Sequence, residues 1–244
     1  MNYLSRDYLE ELADSVLLDC FGAEFMHEHK SINVDHLASH YLGLEVSYIR
    51  LSDDGKILGL TTYADVDLEL ERYDARDTIK LKKDSVLIEK SLLEHDRNGC
   101  RRFTLSHEAA HQIIYRIETP DDKATYQRRF ANETVYSCRD LKSADDWREW
   151  QANTLAAALL MPRNLVDFLL FRFNNGKPLI RYGAWFNYHD RQVLSNMCSL
   201  LGVSRSALVI RLLQLGFIRQ RPVREYNDSL DIYPDESEVD YNEA

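Results

Sequence analysis

Leu9, Leu12, Val16 and Leu17 recur at three- and four-residue intervals and predict an amphipathic helix over 7–20, with Ser5 placed to cap it. A second, short helix is predicted over 34–42, stopping at Gly43. The period then drops to two over 45–51, which predicts a strand, and Asp53-Asp54-Gly55 reads as the turn after it. Segments 57–63, 66–71 and 85–92 can supply further strands. Short hairpin-linked strands following helices predict an α+β fold rather than a parallel βαβ sheet.

From about Arg101 the pattern becomes almost wholly helical. Helices are predicted over 101–118 and roughly 143–160, and Met161-Pro162 breaks the second, with Pro162 placed to open the next. The polar stretch 119–142 separates them, and a connection of that length is often functional or carries its own short helix. Residues 192–216 predict a helix–turn–helix pair around Leu201-Gly202-Val203-Ser204. The last twenty residues are predicted to lack fixed structure. The resulting division is an N-terminal helical segment over 1–30, a core over 31–175, a helical module over 176–224 and an acidic tail over 225–244.

The composition sharpens this picture in three ways. Apolar residues make up 45% of the 244, enough for a substantial core. The four cysteines form no C-x-x-C pair, which argues against a disulfide framework and a cysteine zinc site and suits a reducing compartment. Charges recur through the first nineteen residues, leaving no apolar secretory region, and no later stretch is long enough to span a bilayer; the expected location is the cytoplasm. The net charge of −10 is uneven: six arginines against Asp190 over 190–224 precede eight acids without a base over 225–244. The whole chain is thus no generic nucleic-acid binder, while its basic segment suits an acidic partner.

Chemistry concentrates in Ser106-His107-Glu108-Ala109-Ala110-His111, an H-E-x-x-H sequence inside a helical pattern. Positions i and i+4 project from one helix face, so both imidazoles can reach a single ion. Glu108, between them, is placed to take a proton from a water at that ion. Phe103, Leu105, Ile113, Ile114 and Ile117 predict that the helix is largely buried, where two histidines and a glutamate would be costly unless paired or ligated.

A catalytic zinc needs a third protein ligand and one open position. Glu149, on the next strong helix, is the preferred candidate, because Asn153 follows at i+4 and can hydrogen-bond the outer nitrogen of a ligating histidine. Glu133, Glu118, His95 and His189 are the rivals. The cluster Met26-His27-Glu28-His29 reads as a polar linker, and His36 and His40 as the exposed face of a short helix.

Two segments together resemble the ImmA/IrrE family of metallopeptidases. The first is Arg102-Phe103-Thr104-Leu105 leading into the H-E-x-x-H sequence; the second is Glu149-Trp150-Gln151-Ala152-Asn153 running on to Leu159-Leu160-Met161-Pro162. Ala110 departs from the glycine of many members but keeps a small residue. The resemblance spans roughly 30–215 and implies a zincin-like core of the gluzincin type. In such a core, built on a small, mostly antiparallel sheet, His107, His111 and Glu149 hold one zinc, Glu108 is the base and Asn153 supports a ligand. It further implies a bacterial or mobile-element regulatory protease acting on a helix–turn–helix repressor. The helical module beyond 190 also looks like the one that follows the core in this family, with Ser204 as a cap and Arg205 and Gln214 on its exposed face.

A substrate held in extended form is expected to add to the strand at 85–92, and Tyr136, Tyr182, Tyr188 and His189 are candidate oxyanion stabilisers. The rival expectation is a non-catalytic regulatory protein that binds a repressor or DNA through 190–224.

Overall fold

A computed structural model describes residues 4–52, 55–72, 75–120, 122–123, 135–137 and 146–226. Within them the chain is α+β, and its contacts divide it into two compact units that meet in sequence at Pro162 and Arg163. The expected core ended at 175, so the helix opened by Pro162 belongs with the second unit, not the first.

The first unit begins with α1 (Arg6–His27), longer than the predicted segment and broken at Gly22, with Ser5 Oγ accepting from the Tyr8 N–H as its cap. α2 (Val34–His36) runs on into a short wide turn over Leu37–Tyr41. Then come β1 (Glu45–Ile49), β2 (Gly59–Thr61), the hairpin of β3 (Val66–Arg72) and β4 (Ala75–Leu81), and β5 (Ser85–Glu89). The helix α3 (Asn98–Ile117) follows, then the short β6 (Val135–Ser137) and α4 (Asp146–Leu160).

The sheets are mixed, not mostly antiparallel. β5 lies between β1, parallel to it, and β2, antiparallel to it; β3 lies between β4, antiparallel, and β6, parallel. β5 is buried along its whole length because both its faces are covered. Leu87 joins Leu51, Ile57, Leu60, Leu68 and Leu70 in a cluster shared with the β3 sheet. By strand alternation Val86 and Ile88 then face the other way, where α3 packs. Burying each such side chain is worth roughly 1.5–3 kcal/mol.

α3 is the centre of this unit, packed on β2 and β5 and on α4, which in turn packs on α1. Ala109 and Ala110 are fully buried and permit the close helix–helix approach. Polar ties fix its pitch. Arg101 forks onto Asp35 at 2.7 and 3.1 Å, and Arg102 donates to the Ile32 carbonyl. Gln112, wholly buried, donates to Thr61 Oγ1 and the Thr62 carbonyl.

The second unit contains α5 (Arg163–Asn174), β7 (Leu179–Tyr182), β8 (Trp185–Phe186), α6 (Tyr188–Leu201), α7 (Arg205–Gln214) and β9 (Ile218–Arg221). α6 and α7 are the expected helix pair: Gly202 takes φ 64° at the end of α6, and Ser204 Oγ accepts from the Ala207 N–H to start α7. The three-stranded sheet β8-β7-β9 was not expected. Its strands are two to four residues long, too short for a period of two to stand out. The solvent face of α7 also differs from expectation. Arg205 packs over the Phe186 ring and Gln214 is half-buried, so Ser206 and Ile210 are the exposed side chains.

Among the described residues no single helix is long and apolar enough to cross a membrane. Residues 227–244, and with them nearly all of the acidic tail, lie outside the described residues.

Candidate metal centre

His107 and His111 sit one turn apart near the middle of α3, on the face that meets α4. Their rings lie edge to face with centroids 4.6 Å apart, and their Nε2 atoms are 3.1 Å from each other. Glu149, in the first turn of α4, closes the group: Oε2 is 3.2 Å from His107 Nε2 and Oε1 is 3.3 Å from His111 Nε2. The three residues form a group that could hold a metal ion, their ligand atoms all within 4.8 Å of one another. Donors bound at about 2.0–2.1 Å to one tetrahedral ion stand about 3.3 Å apart. The observed separations match that edge and leave a fourth vertex free for a small molecule. Hydrogen bonds from both histidines hold the Glu149 carboxyl far below the usual carboxylate range, ahead of the opposing effect of its partial burial.

His107 is 8% exposed, and its Nδ1 is buried with no hydrogen-bond partner among the described residues. A ligating histidine ordinarily donates its outer N–H to an acceptor. Asn153 does not fill this place in the structure. It follows Glu149 by one turn, but its side chain is exposed to solvent.

Glu108 is 2% exposed and lies against β2. A Cβ added to Gly59 would stand 2.7 Å from Glu108 Oε1 and 2.6 Å from Thr104 Cγ2, so only glycine lets the strand pass this close to the carboxylate. Sequence reading missed Gly59. A glycine at the head of a short apolar segment was the available signal, and its meaning depends on a helix more than forty residues away.

The rival ligands lie elsewhere. Glu118 is buried against Arg148, His95 sits in a short turn before α3, and His189 is exposed and bonded to Asn174 Oδ1. Glu133 lies outside the described residues, as do the side-chain surroundings of Tyr136. The strand at 85–92 cannot accept a substrate strand, because β5 has a neighbour on both edges; the edge strand beside α3 is β2.

No protein-family profile and no curated protein sequence matches the chain.

Proposed function

We propose that this chain is a zinc-dependent endopeptidase acting on a protein substrate of the helix–turn–helix repressor class. The observation that carries this reading is the convergence of His107, His111 and Glu149 from two packed helices at tetrahedral spacing, on a helix that also carries the buried Glu108 between the two histidines. The substrate class rests on the family resemblance alone.

The donor set of two imidazole nitrogens and one carboxylate oxygen suits zinc with an open position. Zinc there would act as a Lewis acid on the scissile carbonyl and make a water acidic enough to lose its proton near neutral pH. Glu108 takes that proton as the water oxygen bonds to the carbonyl carbon, and delivers it to the nitrogen as the carbon–nitrogen bond breaks. An extended substrate would add to β2, the edge strand whose Gly59 passes against Glu108. The buried Nδ1 of His107 calls for an acceptor, which Asn153 could supply only by turning inward from its exposed position.

Elemental analysis of the purified chain tests the centre. About one zinc per chain is expected, lost in His107→Ala and His111→Ala and sharply weakened in Glu149→Ala, which keeps both histidines. Well-folded wild type that stays metal-free when zinc is supplied would overturn the reading. So would iron in place of zinc, since the same donors serve redox chemistry.

A second reading has one observation in its favour. Residues 163–226 carry ten arginines and lysines against three acids, and Arg219, Arg221 and Arg224 are exposed along and just after the edge strand β9. A regulatory protein that binds DNA or another acidic partner through this unit would show salt-dependent binding that survives chelation.

A further inference from the structure

The three ligands of the metal group are not held equally well. His107 and His111 lie inside a helix of 20 residues, whereas Glu149 is the fourth residue of α4. The first turn of a helix has backbone N–H groups with no acceptor within the helix, and it opens more readily than the middle. A ligand placed there raises the apparent Kd by the inverse of the fraction of time the turn is wound. Glu149 is therefore the member of the group that needs outside support.

That support is adjacent. Arg148, the residue before Glu149, extends to Glu118, with Nη2 3.6 Å from Oε1 and the two side chains only 11% and 5% exposed. Glu118 follows the last residue of α3, and its N–H donates to the Tyr115 carbonyl. The ion pair thus joins the end of the helix that carries the histidines to the start of the helix that carries the glutamate. Two further contacts hold α4. Trp147 and Trp150 stack across its first turn at 4.4 Å, and Ser106 Oγ donates to the Ala156 carbonyl farther along. Two opposite charges this well enclosed attract more strongly than they would in water, so the pair favours the arrangement that keeps it closed.

We propose that the Glu118–Arg148 pair is a positioning device for the metal group: it keeps the first turn of α4 wound and so keeps the Glu149 carboxylate aimed at the two Nε2 atoms. Neither residue is a ligand in this account. The inference rests on the metal reading above and adds to it the residues that set the affinity of the site.

The test is a double-mutant cycle on zinc affinity, measured by chelator competition on the full chain, with circular dichroism confirming that each variant is folded. Glu118→Gln keeps the shape and removes the charge. It is expected to raise the zinc Kd by about ten- to a hundredfold. In a Glu149→Ala background the same change should add little, because the pair acts through Glu149. Cobalt(II) substituted for zinc should show the visible bands of Glu118→Gln moving toward those of Glu149→Ala. Should Glu118→Gln fail to fold, Arg148→Lys, which keeps the charge but not the planar fork, takes its place in the cycle with a smaller shift in the same direction. Unchanged zinc affinity in a folded variant would overturn the proposal, as would an equal loss with and without Glu149. A wild type that binds no zinc in the same titration would instead remove the metal reading on which the proposal rests.

Discussion

Glu108 and the two histidines share one helix but carry different burdens, and substitution separates them. Glu108→Gln preserves volume and leaves all three ligand atoms in place. Zinc content should remain at the wild-type level while peptide hydrolysis falls by about 10²–10⁴, measured by mass spectrometry of a cleaved substrate. Retained cleavage would mean that another group takes the proton. His107→Ala and His111→Ala should abolish both metal and activity. Asn153→Ala should weaken zinc by about tenfold if the residue meets His107 Nδ1 once metal is bound; unchanged affinity in the competition titration would leave that nitrogen to another acceptor. At His107 burial and chemistry conflict, since its outer nitrogen is enclosed without a hydrogen bond among the described residues. A neutral group enclosed in that way costs about 1–3 kcal/mol, a cost that a site built for a metal can sustain because ligation recovers more.

Between elements, the decisive contact is that of β2 with α3. Gly59 allows it, and Gln112 fastens it through Thr61 and Thr62. Gly59→Ala would force a methyl group to within 3 Å of Glu108 and Thr104, costing about 1–3 kcal/mol by overpacking. The strand must then retreat or the carboxylate must turn. Activity should fall far more than zinc content does; parallel loss of both would mean that the helix, not the carboxylate, had moved. Gln112→Leu should lower stability by about 1 kcal/mol, read from the denaturant midpoint, since it removes the buried hydrogen bonds to Thr61 Oγ1 and the Thr62 carbonyl and leaves that carbonyl only its bond from the Asp84 N–H.

Across the whole molecule, metal binding is linked to folding. The group assembles only when α3 and α4 are packed, so on the proposed reading zinc would bind the folded chain alone and would stabilise it by about 2.7 kcal/mol at a hundredfold excess over Kd. Zinc should raise the thermal midpoint by several degrees in wild type and not in His107→Ala; equal shifts in both would place the zinc elsewhere. The charge is divided just as sharply. Residues 163–226 are strongly basic, while residues 1–162 and 227–244 carry the excess of acids. Any partner drawn to the basic unit should bind less tightly as salt rises, because exposed charges are screened within about 10 Å at 0.1 M.

Local periodicity and motif spacing determined a good deal without the structure. The helix pair around Gly202 and Ser204, the cap at Ser5, the long buried helix with His107 and His111 on one face and the choice of Glu149 over its rivals as the third member of the metal group were all legible, because each depends on residues within a few turns or on a residue type with few alternative uses. The pairing of strands was not. Whether β5 lies at an edge or between β1 and β2 depends on which distant segments return beside it, and an alternating or continuous apolar run is compatible with either. The short strands of the second unit were hidden because two to four residues carry no measurable period. Gly59 and the Glu118–Arg148 pair were equally invisible: a glycine, an acid and a base are ordinary in the chain, and they acquire meaning only when packing brings a strand against Glu108 and the end of one helix against the start of another.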